Sequence, residues 1–290
     1  APGRPVTSVF KGIRNMQIGI IGNGFVGNAL HEGFKDHYEV FVYDNNPLRS
    51  PNSLQDINTL ETVFVCVPTP MTTTGAIDLS ILKTVLGTLQ NNKTIVIKST
   101  VTPAAATEII ETYPEHQLVF NPEFLTERPA VEDFKNPSRI VLGGPRSSVQ
   151  TIKELYLPLF PHVEYIQTDA KTACFIKYIA NCFSAIKISA MNEFKQIAES
   201  GNIDWEQTLE GFLASGWVNP MHTQVPGPDG SLGFGGKCFP KDINAIITYA
   251  ESVGVDPKVL WAAWEKNLEV RKERDWMKIP GAVTSTDKNL

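Results

Sequence analysis

The sequence predicts an α/β fold, with a doubly wound and mostly parallel sheet over residues 16–168 and an all-α domain with a long central helix over residues 169–280. Three observations lead to this prediction. A glycine-rich turn follows the first short apolar run, further apolar runs alternate with helical patterns, and residues 170–200 contain neither proline nor glycine. Alternating strands and helices are typical of parallel sheets, and a run without helix breakers is typical of a long helix.

The glycine-rich turn opens the sheet. Gln17–Ile21 is a short apolar strand, and a helical pattern through Leu30 and Phe34 follows the turn. The second strand, Val40–Tyr43, ends at Asp44, an acid 22 residues after the first glycine. A Gly-x-Gly-x-x-Gly turn in this context predicts a Rossmann-like dinucleotide site, the alternative being an ordinary βα turn. The predicted cofactor contacts of this region are Gly22, Asn23, Gly24, Phe25, Val26, Gly27, Asp44 and Arg49.

The cofactor predicted for this turn is NAD. The glycines let the main chain approach a pyrophosphate at a helix N-terminus. The carboxylate of Asp44 can accept a hydrogen bond from the adenosine ribose and would repel the 2′-phosphate of NADP.

Five further strands and three helices are predicted before residue 169. The strands are Val63–Val67, Ile95–Lys98, Leu118–Phe120, Ile140–Leu142 and Val163–Ile166. The helices are Leu79–Leu89, Pro103–Thr112 and Val149–Leu157. Ligands of such sheets bind beyond the carboxyl ends of the strands, where three polar loops fall, although ordinary turn chemistry is the alternative for these loops. The loops are Pro68-Thr69-Pro70, Ser99-Thr100-Val101 and Asn121–Glu127.

The all-α region opens with a helix from Ala170 to about Ser200. At ~1.5 Å per residue this helix is ~45 Å long, too long for a small domain to bury completely. It is expected to link the two domains. Lys177 and Asn181 are four residues apart and share one face of it. A lysine on a helix is usually solvated, but apolar neighbours such as Ile179 favour a drier face here. The remaining segments are the helices Trp205–Leu213, Ile243–Val253 and Val259–Ile279, the loop Gly216–Gly236 and a polar tail, 281–290.

A second glycine-rich stretch, Gly233–Gly236, immediately precedes Lys237 and Cys238, and Pro240 then opens an apolar run at helical spacing. This pattern places Cys238 just ahead of a helix N-terminus, where the N–H groups and the helix dipole favour the thiolate. Lys237 and Lys241 add positive charge nearby. We therefore interpret Cys238 as an activated nucleophile rather than as a small buried residue, the usual state of an isolated cysteine.

Composition narrows the classes of function. A net charge of −5 from 26 basic and 31 acidic residues, with no basic run, argues against nucleic-acid binding. The cysteines show neither metal-site pairs nor a secreted disulfide spacing, which predicts no metal site and a cytoplasmic protein. These cysteines are Cys66, Cys174, Cys182 and Cys238. No uninterrupted apolar run reaches the ~18 residues of a membrane span, and residues 1–15 show no signal-peptide core and are expected to lie outside the fold.

Together the motifs resemble those of the nucleotide-sugar dehydrogenase family, the UDP-glucose 6-dehydrogenase and GDP-mannose dehydrogenase group. The resemblance extends roughly from Met16 to Ile279. It rests on the first glycine turn with Asp44, on Cys66–Pro70, Lys98–Val101, Asn121–Glu127, Lys177 with Asn181, and Gly233–Asp242, in this order.

The resemblance implies two successive NAD-dependent oxidations that convert the C6 alcohol of a nucleotide sugar, most simply a UDP-sugar, into a carboxylate. Cys238 would form a thiohemiacetal and then a thioester, Lys177 and Asn181 would stabilise oxyanions, Asp242 would hold water, and Glu123 would be the general base. The implied catalytic residues are Cys238, Lys177, Asn181, Asp242, Glu123 and Thr100. Further implied cofactor contacts are Pro68, Thr69, Ser99, Thr100, Glu127 and Lys241. Implied substrate contacts are Glu123, Phe124, Leu125, Lys177, Asn181, Phe234, Gly235 and Cys238, with main-chain amides of 233–236 approaching the sugar.

Two features depart from the family pattern. Family members carry a substrate-contacting arginine in the segment that corresponds to Gly216–Pro220. This segment contains Trp217 and no arginine, so the identity of the sugar stays unassigned. Family members also continue into another nucleotide-binding domain, whereas this sequence ends at Leu290, as expected either of a piece of a longer protein or of a naturally short relative. The long helix and the helix Val259–Ile279 are expected to form the core of a homodimer.

Two other functions remain open. A β-hydroxyacid dehydrogenase of the 6-phosphogluconate type also joins a Rossmann domain to a helical domain with a Lys-x-x-x-Asn face, but it needs no cysteine. A non-catalytic NAD-binding protein is the second alternative, although such a protein has no use for the chemistry of Cys238, Lys177, Asn181 and Asp242.

Overall fold

The chain divides into two structural units. The residues described by the computed structural model are 16–90, 92–126 and 129–284. The first unit ends at Thr69 and resumes over Leu79–Lys177, and the second contains Pro70–Asp78 and the chain from Tyr178 onward. The division therefore falls within the long helix.

The first unit is built on one seven-stranded sheet. Its strands are β1 Gln17–Ile21, β2 Glu39–Tyr43, β3 Thr62–Val65, β4 Thr94–Ile97, β5 Gln117–Phe120, β6 Arg139–Gly143 and β7 Glu164–Thr168. Their order across the sheet is β2-β1-β3-β4-β5-β6-β7. The first five run parallel to one another, whereas β6 meets β5 antiparallel, at Phe120 and Gly143, and then pairs in parallel with β7. This topology confirms the predicted α/β class with a mostly parallel sheet.

Helices connect the strands. They are α1 Phe25–Phe34, α2 Leu54–Asn58, α3 Ser80–Thr88, α4 Pro103–Thr112, α5 Ala130–Lys135 and α6 Arg146–Tyr156. The two that the sequence did not predict, α2 and α5, are too short to show a helical repeat. A capping box starts α2, because the N–H of Asp56 donates to Ser53 Oγ and the N–H of Ser53 donates to the Asp56 carboxylate.

An aromatic cluster around Phe34 forms the centre of the first core. The ring of Phe34 lies 5.3 Å from that of Phe64, 5.5 Å from that of Phe134 and 5.6 Å from that of Tyr156. Each such burial contributes roughly 1.5–3 kcal/mol. The hydroxyl of Tyr156 also donates to Asn121 Oδ1 over 2.7 Å, just beyond β5. The cluster therefore holds the carboxyl edge of the sheet in place.

The second unit is helical. Its helices are α7 Ala170–Ser200, which begins in the first unit, α8 Trp205–Leu213, α9 Phe239–Ser252 and α10 Lys258–Val270. Tyr178 of α7 packs in one core with Ile243 of α9, Trp264 of α10 and Trp276. The helix α9 begins at Phe239, ahead of the predicted Ile243, because Pro240 is accommodated in its first turn.

The prediction of one helix over Val259–Ile279 is wrong. The helix α10 ends at Val270, Arg271 has extended main-chain angles, and a single 3₁₀ turn forms at Asp275–Met277. The charged run Arg271–Arg274 offers no apolar side chain to the core, so continuing the helix through it would bury no apolar surface. Leaving the helical path brings Trp276 into the core instead, where its exposed fraction is 2%.

The helix α7 is the one helix among the described residues that is long and apolar enough, by length and composition, to cross a membrane. The core helix of a globular domain passes the same test. Ala173, Tyr178 and Ala185 are fully buried within the protein, as expected of a core helix.

His116 makes the stability of the first unit depend on pH. Its side chain is buried, and neither ring nitrogen has a hydrogen-bond partner within the described residues. Burial lowers the pKa of His116 from its usual 6.5, and the nearby Glu115 offsets this only in part. The unfolded chain therefore takes up the proton first, so stability is full above about pH 6.5 and is lost as the pH falls toward the folded-state pKa.

We expect Tm to fall less between about pH 7 and pH 5 in His116→Leu than in the parent, because the variant has no imidazole to protonate. Thermal unfolding at several pH values measures this. His37→Gln, at an exposed position, should keep the parent slope. Equal slopes for the parent and His116→Leu would contradict the assignment.

Candidate active site

The three glycines of the turn between β1 and α1 are needed for different reasons. A Cβ on Gly27 would lie 1.8 Å from the carbonyl oxygen of Gly22, and one on Gly22, whose φ is +92°, would lie 2.7 Å from the carbonyl oxygen of Cys66. Contacts within the chain therefore require both glycines. Gly24 has an ordinary φ of −78°, and no described atom beyond its neighbours lies within 4 Å of its Cβ position. The space at Gly24 is open to a ligand.

The helix α1 begins at that open space. Gly24 is its N-cap residue, and no described side chain caps it. The first N–H groups of a helix point out of its N-terminus and carry the positive end of its dipole, which suits a pyrophosphate. The turn thus fits the dinucleotide predicted for it.

Asp44 ties the glycine turn to the end of β2. Its Oδ2 accepts the N–H of Asn23 over 2.7 Å, and its Oδ1 accepts the N–H of Asn46 over 2.8 Å. The side-chain amide of Asn23 donates to the carbonyl oxygen of Arg49 over 2.9 Å, while its Oδ1 is buried with no partner among the described residues. Asp44 and Arg49 therefore lie beside the turn, as the sequence predicts.

The loops after β3 and β4 are joined by their hydroxyl groups. Thr69 Oγ1 donates to the carbonyl oxygen of Thr100, and Ser99 Oγ donates to that of Val67, each over 2.7 Å. Because β3 and β4 are neighbours in the sheet, Pro68, Thr69, Ser99 and Thr100 come together at its carboxyl edge. The predicted grouping of these loops is therefore present, with two of the hydroxyls bound to main chain.

The loop after β5 places a carboxylate against a lysine in the first unit. Glu123 Oε1 lies 3.0 Å from Lys177 Nζ, and the side chains are 7% and 4% exposed. Glu123 Oε2 accepts the N–H of Leu125 over 2.7 Å. The ring of Phe124 faces two cations, Lys177 Nζ at 5.5 Å and the Arg139 guanidinium at 4.1 Å. Glu127, also predicted for this loop, lies outside the described residues.

A buried lysine, Lys98, binds the first residue of this loop. Lys98 Nζ donates to Asn121 Oδ1 over 3.0 Å, and Asn121 Nδ2 donates to the carbonyl oxygen of Val141 over 2.8 Å. Burial lowers the pKa of Lys98 to about 8 and raises the pKa of the neighbouring Cys66 to about 12. The sequence predicted Ser99 and Thr100 of the same motif as contacts but did not predict this network.

In the second unit, Asp242 is the centre of a buried polar group. Its Oδ2 accepts from Asn181 Nδ2 over 2.6 Å, and its Oδ1 pairs with Lys241 Nζ over 2.5 Å. Asp242 is 1% exposed, and Lys241 is also buried. Burial, and then Asp242, raise the pKa of the Cys182 thiol. Asp242 therefore compensates the charge of Lys241. Lys241 adds less positive potential at Cys238 than the sequence alone indicates.

Cys238 is the N-cap residue of α9, and the N–H of Asp242 donates to its carbonyl oxygen over 2.8 Å. This confirms the expected position at a helix N-terminus. Gly233 and Gly236, ahead of it, have φ values of +67° and +74°, which favour glycine. Asp242 therefore lies one helical turn beyond the cysteine.

The main-chain amides of the second glycine-rich loop are bound within the second unit. The N–H of Gly233 donates to Asn192 Oδ1 over 3.1 Å and that of Phe234 to Asn267 Oδ1 over 2.7 Å. The N–H of Gly236 donates to the carboxylate of Asp275 over 2.9 Å. The expectation that these three amides approach a sugar is therefore wrong, because side chains of the same unit already accept from them. No local pattern in the sequence indicates these acceptors, which lie far away along the chain.

Phe234 and Gly235 were predicted as substrate contacts. The ring of Phe234 is 3% exposed and packs against Trp264 and Phe239, at centroid distances of 6.1 Å and 6.3 Å. The main chain of Gly235 lies against Arg271. Their roles toward a substrate stay predictions, and in the structure both serve the packing of the loop.

Comparison with known proteins identifies the family. Residues 45–160 match the UDP-glucose/GDP-mannose dehydrogenase family, NAD binding domain, and residues 171–269 match the central domain of that family. A UDP-glucose 6-dehydrogenase of Haloferax volcanii is 30% identical over 303 residues, which cover 87% of this chain and 69% of the relative. The chain belongs to the UDP-glucose/GDP-mannose dehydrogenase family. This confirms the family, and NAD as the cofactor of its first domain.

Other members of the family are longer than this chain. A UDP-glucose 6-dehydrogenase of Rickettsia bellii is 35% identical, and the alignment covers 81% of this chain but only 55% of the relative. Among solved structures, a UDP-glucose dehydrogenase from Pyrobaculum islandicum has a TM-score of 0.79 at 24% identity, over 89% of this chain and 69% of that one. A 3-hydroxyisobutyrate dehydrogenase from Mycobacterium tuberculosis has a TM-score of 0.70 at 15% identity, over 88% of this chain and 93% of that one. At these identities the structures show the fold alone.

The open space at Gly24 predicts how NAD binding in this family member responds to one methyl group. Gly24→Ala should fold like the parent, because its φ is ordinary, yet it should weaken NAD binding at least about tenfold by occupying the phosphate position. Titration calorimetry and Tm measure the two effects. The matched variant Gly27→Ala should instead lose stability, since its Cβ would meet the Gly22 carbonyl oxygen at 1.8 Å. Parent-like NAD affinity in Gly24→Ala would place the cofactor elsewhere.

Proposed function

We propose that this chain carries the catalytic residues for the NAD-dependent oxidation of a nucleotide-sugar C6 alcohol to the carboxylate, with Cys238 as the covalent nucleophile. The observation that carries the proposal is Cys238 at the N-terminus of α9, with the buried Asn181–Asp242 pair in the same unit. A thiol at that position has its thiolate stabilised by the helix dipole. Thiolate is also the best nucleophile that a protein offers near neutral pH.

In the first oxidation, Glu123 takes the proton of the C6 hydroxyl, and the ammonium group of Lys177 stabilises the developing alkoxide. Their 3.0 Å contact and low exposure support this division of roles, because a buried pair keeps the base and the cation together in a site of low dielectric. Thr100 and Glu127 would position cofactor and substrate. NAD held at the turn Gly22–Gly27 would supply the hydride acceptor, one molecule for each oxidation.

In the second oxidation, Cys238 Sγ attacks the aldehyde carbon. The C–S bond forms while the carbonyl π electrons move to oxygen, where Lys177 and Asn181 stabilise the charge. After the second hydride leaves the same carbon, the product is a thioester. Water then attacks the thioester and releases its two protons to solvent, the C–S bond breaks, and the thiolate leaves with the carboxylate as product. Asp242 holds this water, and its bond to Asn181 Nδ2 orients the amide that meets the oxyanion.

A UDP-sugar is the substrate we propose, because the relatives from Haloferax volcanii and Rickettsia bellii are UDP-glucose 6-dehydrogenases. The sugar itself depends on residues that differ from the family pattern. Trp217 is 77% exposed and packs edge-on against Phe212 at 5.9 Å. The side chain at this position is therefore available to a partner or ligand. We also propose a cytoplasmic location, which the proposed substrate and the cysteine content support.

The β-hydroxyacid dehydrogenase function is the second candidate, because the fold is shared with a 3-hydroxyisobutyrate dehydrogenase at a TM-score of 0.70. A hydroxyacid dehydrogenase completes its reaction with one hydride transfer and needs no thiol. The number of NADH molecules formed per substrate therefore separates the two functions. A panel of nucleotide sugars and 3-hydroxyacids, each supplied with NAD, tests both together and also the non-catalytic alternative.

We expect Cys238→Ser to lose overall oxidation by several orders of magnitude, because a serine hydroxyl there is a far weaker nucleophile than a thiolate. The variant should still reduce a supplied sugar aldehyde with NADH, slowly, since that step needs no nucleophile. NADH absorbance measures both reactions. Cys174→Ala, at a buried cysteine, should keep parent turnover. Two NADH per substrate at the parent rate from Cys238→Ser would exclude the covalent mechanism.

We also propose that the protein is a homodimer whose interface is the outer face of α7. Ile179, Phe183, Phe194 and Ile197 of this helix are exposed, Phe183 to 67%. An apolar groove of about 280 Å³ continues this face between α7 and α8. A soluble monomer rarely leaves so much contiguous apolar surface uncovered. The helix α10 contributes less than expected, because Trp264 is buried within its own unit.

Phe183→Glu should convert the dimer into a monomer of 32.0 kDa, because a carboxylate would be desolvated in the apolar interface. Sedimentation velocity at micromolar concentration measures the mass. Leu48→Glu, at an apolar residue that is 95% exposed in the first unit, should leave the dimer intact. A parent protein that sediments as a monomer would exclude the interface.

A further inference from the structure

We propose that Asp275 is a positioning residue for the thiol of Cys238, acting through the main chain of the glycine-rich loop with Arg271 as its partner. The proposal rests on the proposed function, because Cys238 is the nucleophile of that function. Asp275 itself lies beyond α10, in the 3₁₀ turn, and reaches the loop with its side chain.

Gly235 lies directly on the ion pair of Asp275 and Arg271. A Cβ on Gly235 would be 2.3 Å from Asp275 Oδ1 and 2.3 Å from Arg271 Nη2. The ion pair thus explains why this position is glycine, since any side chain would displace one of the two charged groups. The next residue, Gly236, donates its N–H to Asp275 Oδ2 over 2.9 Å. Asp275 therefore determines both the position of Gly235 and the orientation of the Gly236 N–H, just ahead of Lys237.

The space on the Cβ side of Gly236 is open, so no packing at that position restrains its main-chain angles. No described atom beyond its neighbours lies within 4 Å of its Cβ position, and its φ is +74°. A glycine can rotate between left-handed and right-handed angles at little cost unless a hydrogen bond holds it. Rotation at this peptide would displace Cys238, two residues later, from the N-terminus of α9. The bond from Gly236 to Asp275 opposes that displacement.

Arg271 holds the acceptor in place. Its side chain is 5% exposed and lies between two carboxylates, with Nη2 at 2.8 Å from Asp229 Oδ2 and 3.2 Å from Asp275 Oδ1. Its Nη1 donates to the carbonyl oxygen of Leu232 over 3.4 Å. One buried guanidinium therefore links an early point of the loop, Asp229, to the turn next to Cys238.

Asp229 provides a matched control. Its Oδ1 accepts the N–H of Ser231 over 3.0 Å, and its Oδ2 accepts from Arg271. Each carboxylate thus receives one loop amide and the same guanidinium. Asparagine at either position must turn its NH₂ group toward one of these donors, so Asp229→Asn and Asp275→Asn make the same chemical change. The two variants differ in which amide loses its acceptor, that of Ser231 or that of Gly236.

The experiment compares the full-length parent, Asp275→Asn and Asp229→Asn. The rate of iodoacetamide alkylation at Cys238 is followed by peptide mass spectrometry, which needs no substrate, and kcat and KM are measured with NAD and a nucleotide sugar. We expect Asp275→Asn to change the alkylation rate at least about fivefold and to lower kcat at least about tenfold, with KM for NAD within about twofold, because a displaced nucleophile affects chemistry rather than cofactor binding. Asp229→Asn should stay within about twofold of the parent in all three.

Two results would overturn the proposal: equal effects of the two variants, which indicate general tethering of the loop, or an unchanged alkylation rate in Asp275→Asn. If Asp275→Asn unfolds, Asp275→Glu replaces it in the comparison, because glutamate keeps both acceptor oxygens. The alkylation rate of Cys238 in Asp275→Glu should lie within about threefold of the parent rate. A rate equal to that of the parent unfolded in urea would contradict the role of Asp275. If the parent oxidises no nucleotide sugar, the proposed function fails while the alkylation comparison still decides the role of Asp275.

Discussion

The glycine-rich loop ahead of Cys238 can form no regular structure, so its main-chain N–H groups need acceptors from side chains. Buried amides without a partner cost about 1–3 kcal/mol each, and the second unit supplies three acceptors. Asn192 of α7 and Asn267 of α10 accept from the start of the loop, and Asp275 accepts from its end. Much of the local architecture follows from this requirement. The chain leaves the helical path after Val270, the guanidinium of the next residue enters the interior, and the following turn brings Trp276 into the core. The glycine-rich loop ahead of Cys238 is therefore held in place by side chains that are remote from it in sequence.

In the first unit, the carboxyl edge of the sheet holds charges that stability alone does not explain. Glu123 and Lys177 are almost fully buried, and removing two charges from water costs more than their attraction returns in many proteins. Below them, Lys98 is buried against Asn121 with a pKa lowered to about 8. Apolar residues of similar volume would pack at this edge at lower cost. Buried ionisable groups with perturbed pKa values concentrate at functional sites, and these lie where parallel sheets bind their ligands. The same principle applies to Asp242 in the second unit, whose carboxylate is 1% exposed.

The sequence was sufficient for the parts of the fold that depend on local pattern. Strands buried on both faces are continuous apolar runs, and the turn at Gly22–Gly27 is defined by glycine spacing. What could not be predicted depends on contacts between distant residues. Asn267 lies in a helical pattern and Asp275 in a charged run, and neither has a local sign that it accepts a loop amide. The end of α10 could not be predicted for the same reason. The helical pattern of the sequence continues past Val270, but in the structure Trp276 reaches the core from a turn after the helix has ended. Glycine spacing also could not separate Gly24, which leaves space for a ligand, from glycines that internal contacts require.

The fold itself does not decide the reaction. A sheet of this topology followed by a long helix is shared with a UDP-glucose dehydrogenase and with a 3-hydroxyisobutyrate dehydrogenase, and one fold commonly carries several chemistries. Hydride transfer from an alcohol needs a dinucleotide site, a base and a cation, all of which the first unit can supply. Oxidation beyond the aldehyde needs one thing more, a nucleophile that makes the carbonyl carbon tetrahedral so that it carries a second hydride. The difference between the two reactions therefore lies in a few residues of the second unit. In the proposed reaction, Cys238 would have to reach the carbonyl carbon at the correct angle. Its loop is anchored by an ion pair as well as by packing, so we expect the geometry of that anchor to affect the chemistry.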